Sequence, residues 1–273
     1  VVDQQEDIVK RIRGFADILV VDHHQINKDL NSKTIVHYNP RFTKKSLYQS
    51  TSYCIYKIIS EIADVSDALW IAGVGMVSDY ELSDSKDVED SVRKKYGIKG
   101  RPYDSFLGRI SDMIAAARAT RQLSCEEMAH LMLKIEDPQE LEKTEGTEKL
   151  IQSYQEVENE KAEMLVDAKQ SACVEKNIVV YEIKSKYNLN SVISTVLSES
   201  YKDKLVMVIS KSGNRYKVSS RNQNKNIGAG RVMQNAVKGL KGSGGGHEAA
   251  AGATVDVNDW EKFLERIREL SNK

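Results

Sequence analysis

The run Ile18-Leu19-Val20-Val21 leads directly into Asp22-His23-His24. A short, continuous apolar run rich in β-branched residues reads as a strand buried on both faces, as in a parallel sheet. Such a sheet must be covered by helices, so this segment points to an α/β architecture. Open α/β sheets place ligand sites at the carboxyl ends of their strands. An Asp beside two His at that edge suits a divalent ion such as Mn²⁺, Mg²⁺ or Zn²⁺. Solvated polar residues at a strand end are the structural alternative.

Neighbouring segments repeat the pattern. Val1-Val2 ends in Asp3, and an amphipathic stretch from Glu6 to Phe15 precedes the run to Asp22. This strand–helix–strand order sets Asp3 and Asp22 at adjacent strand ends. The segment Leu69-Trp70-Ile71-Ala72-Gly73-Val74-Gly75-Met76-Val77-Ser78 reads as a third strand, ending at Asp79. Its glycines suit close approach of backbone or ligand. Carboxylates and an imidazole therefore converge on one sheet edge.

A second landmark lies far downstream. Lys241-Gly242-Ser243-Gly244-Gly245-Gly246-His247 leaves amides free to face an anion, with no Cβ in the way. No Lys-Ser/Thr follows the glycines, so this is not a Walker loop. A flexible hairpin or a helix-to-strand turn would explain the glycines alone. His247 and the small residues Ala249 to Ala251 favour a phosphate-binding loop.

Periodicity orders the rest. A helix is predicted from Thr51 to Ala63, capped by the hydroxyls at Ser50-Thr51-Ser52. Further helices are predicted from Asp104 to Arg121 and from Cys125 to Lys134. A long charged helix over 144–174 joins two domains, 1–143 and 175–273. The second domain reads as strands Ile178 to Ile183, Leu205 to Ile209, Tyr216 to Ser219 and one near Thr254. Helices from Ser191 to Tyr201, Gly230 to Lys238 and Trp260 to Leu270 complete it. The expected fold is thus α/β: a mainly parallel N-terminal domain and a smaller α+β C-terminal domain, joined by the long helix.

These motifs together resemble the DHH phosphoesterase family, most of all its RecJ-like exonucleases and short-oligonucleotide phosphodiesterases. The resemblance covers nearly the whole chain. It implies two divalent ions, Mn²⁺ with Mg²⁺ as the alternative, about 3.5–4 Å apart. Asp3, His23 and Asp79 are the implied metal ligands. His24 is implied to contact the phosphoryl oxygen, and Asp22 to fix a neighbouring His. Gly244, Gly245, Gly246, His247 and Arg221 are implied to bind substrate phosphate from across an interdomain cleft, Arg221 through its planar fork. The family's earlier His-Asp-Asp motif does not precede Asp3, so the first βα unit is expected to be missing from this sequence.

The resemblance implies a single-strand exonuclease acting on DNA, RNA or short oligonucleotides, with replication or repair proteins as partners. A catalytically inactive scaffold subunit is the competing class. Lys+Arg and Asp+Glu number 40 each, so nucleic-acid binding must rest on a local groove. Cys54, Cys125 and Cys173 fit no disulfide framework. No signal peptide or membrane-length apolar run occurs, which points to the cytoplasm. His37 and His130 read as structural or surface residues, and Asp84, Asp87 and Asp90 as a solvated loop. Tyr48, Tyr53 and Tyr56 read as core packing or a half-exposed face, with base stacking as the functional alternative.

Overall fold

The computed structural model describes residues 8–26, 28–223 and 228–271. Their contacts divide the chain into two units, Val1–Tyr154 and Gln155–Lys273.

The first unit opens with a short helix over residues 8–12. Strands β1 (Ile18–Val21) and β2 (Ile35–Tyr38) then pair in parallel, Ile18 opposite Ile35. The parallel strand expected before Asp22 is therefore present, although Leu19 and Val36 on one face are exposed. The expected strand at Val1 to Asp3 lies outside the described residues.

The segment expected as a third strand is instead helix α2 (Leu69–Ser78). A continuous apolar run cannot be assigned by periodicity, and this one is long for a strand. Its residues are apolar all round because the helix is buried, and Leu69, Trp70, Ala72, Val74, Met76 and Val77 lie in the core. Helix α1 (Thr51–Ser60) crosses it so closely that a Cβ on Gly75 would lie 2.0 Å from Ser52 Oγ. The close approach expected of these glycines is thus helix against helix.

Helix α3 (Lys86–Tyr96) replaces the loop expected around Asp84, Asp87 and Asp90. Val88 and Val92, one turn apart, turn to the core, and Gly97 ends the helix at φ 67°. Helices α4 (Phe106–Thr120) and α5 (Cys125–Lys134) complete the bundle around α2. Ser50 caps α1 by accepting from the Tyr53 amide at 3.2 Å, and Ser124 forms a capping box with Glu127 on α5.

Helix α6 (Glu148–Ser171) belongs to both units. Leu150, Ile151 and Tyr154 join the first core, while Val157, Met164, Leu165 and Ala168 join a core of the second.

The second unit is a six-stranded sheet in the order β3-β4-β5-β6-β8-β7. The strands are β3 (Cys173–Val174), β4 (Ile178–Glu182), β5 (Leu205–Ser212), β6 (Arg215–Asn222), β7 (Gly242–Gly246) and β8 (Ala250–Asp256). Among the described residues of this sheet, only the β4–β5 pair is parallel. On β5, Leu205, Met207 and Ile209 face helices α8 (Ala229–Ala236) and α9 (Trp260–Ser271). Val206 and Val208 face the other way, toward α7 (Asn190–Ser200) and α6. The period of two thus places helices on both sides of this sheet. Burying Phe263 and Ile267 completely contributes about 1.5–3 kcal/mol each. Among the described residues, no helix is long and apolar enough to cross a membrane.

Candidate active site

Strand β1 delivers the Asp-His-His segment at its carboxyl end, where the Asp22 amide still donates to the Tyr38 carbonyl at 3.0 Å. Asp22 and His23 are buried; the His24 side chain is half exposed. Asp22 Oδ1 lies 2.8 Å from His24 Nδ1. That contact leaves the other edge of the His24 ring for an outside group.

Asp79 arrives from the end of α2. The helix closes in a Schellman motif: the Tyr80 amide donates to Val77 O at 3.1 Å and the Glu81 amide to Met76 O at 2.8 Å. Tyr80, at φ 53°, takes the left-handed position usually given to glycine. This turn aims Asp79 at the motif, with its Oδ2 3.7 Å from His23 Nδ1. A helix end therefore supplies the carboxylate expected from a strand end.

His23 Nδ1 is buried and has no hydrogen-bond partner among the described residues. A buried polar atom in that state costs about 1–3 kcal/mol, which a bound ligand would recover. Imidazole nitrogen and carboxylate oxygen side by side are donors that borderline divalent ions accept. The pair therefore fits a metal ion. Among the described residues, no group of three or more His, Cys, Asp and Glu forms a complete cluster, and Asp3 lies outside them.

Three further residues bind this region; Asn39 and Arg41 carry no sequence signal, and Tyr48 reads from sequence only as a packing or base-stacking ring. Asn39, buried after β2, donates from Nδ2 to His24 O at 3.0 Å and to Asp22 Oδ2 at 3.4 Å. Arg41 donates from Nε to His23 O at 2.9 Å. Tyr48 stacks on the His23 ring at 5.4 Å between centroids and donates from its hydroxyl to Asp79 O at 3.1 Å. Tyr53 is buried and Tyr56 packs against the core, as expected. A depression of about 680 Å³ adjoins the motif, lined by Gln25, Ile26, Arg41, Phe42, Thr43 and Lys45. His37 is buried on β2, and His130 is exposed on α5.

In the second unit, the glycine segment is the first strand of an antiparallel hairpin, closed by residues 247–249. It is the edge strand β7, paired with β8. The His247 amide donates to Ala250 O, and the Asp256 amide to Lys241 O. Ladder alternation from those two bonds turns the amides of Gly244 and Gly246 away from β8. Three of the glycines are explained by packing. A Cβ on Gly242 would lie 2.2 Å from Thr254 O, on Gly246 2.5 Å from Ala250 O, and on Gly244 3.0 Å from Met233 O. Gly245 alone faces open space. The amides of Ala229 and Gly230, at the start of α8, donate to Glu248 O and His247 O, fastening the segment to that helix.

Arg221 lies next to the end of β6, opposite Ala250, and Gly246 pairs with the adjacent Ala251. Two strand spacings therefore put Arg221 and the end of the glycine strand about 10 Å apart, at one end of the sheet. Arg221 Nη2 donates to Ser191 Oγ at 2.8 Å and Nε to Thr195 Oγ1 at 3.0 Å, both on α7. Arg215 sits at the far end of β6 and Arg231 on the exposed side of α8. Asp22, His23, His24 and Asp79 thus lie together in the first unit, and Arg221 and the end of the glycine strand lie at one sheet end in the second, while Asp3 lies outside the described residues.

Residues 150–273 match the DHHA1 domain family. A RecJ in complex with Mn²⁺ from Thermus thermophilus superposes with a TM-score of 0.70 at 16% identity, over 98% of this chain and 43% of that one. The chain thus has a RecJ-like fold, and its C-terminal part resembles the DHHA1 domain. It also resembles an exonuclease RecJ bound to manganese, with a TM-score of 0.64 at 17% identity, over 100% of this chain and 74% of that one. The pGpG-specific phosphodiesterase PggH from Vibrio cholerae gives 0.55 at 9% identity, covering 98% and 87%. No curated protein matches the chain. The DHHA1 domain holds Arg221 and the glycine strand, and the chain spans less than half the length of the Thermus RecJ.

Proposed function

We propose that the chain is part of a metal-dependent phosphodiesterase that digests single-stranded nucleic acid or short oligonucleotides from an end. The observation that carries this reading is His23 Nδ1, buried without a partner among the described residues and 3.7 Å from Asp79 Oδ2. His23 and Asp79 would hold an ion, with Asp3 added by family resemblance and Mn²⁺ preferred over Mg²⁺. When bound, the metal polarises the phosphoryl group and brings the pKa of a water toward neutrality.

The chain's own residues divide the remaining work. Asp22 orients His24, whose free ring edge meets a phosphoryl oxygen. In the DHHA1 domain, Arg221 grips a phosphate through its fork, with the hydroxyls of Ser191 and Thr195 fixing the plane of that fork. The Gly244 and Gly246 amides and His247 take neighbouring oxygens. Net charge is zero, so binding rests on these few contacts near the reacting end and falls gently with salt. Free thiols at Cys54, Cys125 and Cys173 support a reducing, cytoplasmic setting.

The test uses the full-length protein on an end-labelled single strand, with Mn²⁺ or with EDTA. Hydrolysis is expected only with the metal, and His23→Ala or Asp79→Ala should each lower the rate by roughly 100-fold or more. Full activity in either variant would overturn the assignment. A covalently closed circle of the same sequence should resist, and rapid cleavage of the circle would replace end-directed digestion with endonuclease action.

A further inference from the structure

We infer that the segment from Asn39 to Tyr48 is a brace that sets the Asp-His-His motif against Asp79, with Asn39, Arg41 and Tyr48 as positioning residues. This rests on the reading of His23 and Asp79 as metal ligands. The three side chains reach every part of the site. Asn39 holds Asp22 Oδ2 and His24 O, Arg41 holds His23 O, and Tyr48 holds the His23 ring and Asp79 O.

The choice of atoms supports the role. None of these bonds involves His23 Nδ1 or the Asp79 carboxylate. Each fixes a backbone carbonyl, a ring face or the neighbouring Asp22, so the donor atoms are oriented but not consumed. A packing role alone gives no reason for a polar bond to each element of the site.

The brace is itself held. Asn39 Oδ1 accepts from the Arg41 amide at 3.0 Å, starting a one-turn helix over Pro40–Phe42. Arg41 Nη1 donates to Lys45 O at 2.8 Å, and its guanidinium lies 5.9 Å from the Tyr48 ring centre. The Tyr48 amide donates to Asp84 Oδ2 at 2.9 Å, fastening the far end to the loop beyond Asp79. The segment therefore bridges β2 and the end of α2, which bring in the two halves of the site from distant parts of the sequence.

The experiment measures Mn²⁺ affinity of the full-length protein by the spin-resonance signal of free Mn²⁺, with thermal melting as the folding check. Tyr48 is 37% exposed, so replacing it leaves the core intact. Tyr48→Leu removes both stack and hydrogen bond and should weaken Mn²⁺ binding about 10–100-fold at an unchanged melting temperature. Tyr48→Phe keeps the stack and should recover most of that loss. Asn39→Ala should weaken binding similarly, and kcat on an end-labelled single strand should fall in both damaging variants with little change in KM. Wild-type Mn²⁺ affinity in Tyr48→Leu, with His23→Ala unable to bind, would overturn the brace alone. Undiminished binding in His23→Ala would overturn the metal reading beneath it.

Discussion

At the residue scale, the site is held by atoms of unequal visibility. Asp22, His23, His24 and Asp79 stand out because charged and imidazole groups end apolar runs. Asn39, Arg41 and Tyr48 are ordinary residues of a polar loop, and only their contacts reveal them. Tyr48 packs as expected of a half-exposed ring, but its partner is His23. The cysteines allow a direct check of burial. Cys54 has no exposed surface, and desolvation, helped by the Glu81 charge, pushes its thiol up to about 11. Cys125 and Cys173 are exposed. A thiol reagent at pH 8 should therefore modify two cysteines in the folded protein and the third only after denaturation. Rapid labelling of Cys54 would contradict its burial on α1.

At the element scale, legibility followed the contrast between buried and exposed faces. Helices α1, α5 and α9 and strands β4 and β5 show clear apolar patterns and end near capping or turn residues. Helix α2 lacks such contrast because it is buried all round, so its period is hidden. Helix α3 fails for the opposite reason: its charges dominate, and only Val88, Val92 and Gly97 betray it. The glycines of β7 suggested a loop because strands rarely use them, yet close packing on α8 and β8 excludes larger residues. This yields a paired expectation. Gly230→Ala places a methyl 2.3 Å from Gly246 O, and Gly246→Ala places one 2.5 Å from Ala250 O. Each should cost about 1–3 kcal/mol or more, because backbone cannot move aside cheaply. Gly245→Ala meets nothing and should leave the melting temperature within about 2 °C, while weakening capture of a labelled oligonucleotide. Equal destabilisation by Gly245→Ala would refute the packing account of β7.

At the scale of the whole molecule, buried protons set an alkaline limit. Burial, then the Asp87 charge and hydrogen bond, pushes Tyr53 up to about 12 from its usual 10.0, and Cys54 moves from 9.0 to about 11. The unfolded chain releases these protons at lower pH than the folded one, so folding stability falls as pH rises above about 9. The urea midpoint should be lower at pH 10.5 than at pH 8.5, and Cys54→Ser should reduce that difference. An unchanged difference would remove Cys54 from the account.

Helix α6 runs across the boundary between the two units. Proteases need several residues of extended backbone, and the boundary at Tyr154 offers only helix. Limited digestion should therefore not release two fragments by cutting there. Expressing the DHHA1 domain from residue 150 has its own difficulty, since Leu150, Ile151 and Tyr154 would leave the first core for water. The remaining unit would lose the same side chains. A first unit cut before residue 150 should therefore melt at a lower temperature than one that keeps these helix residues of its own core.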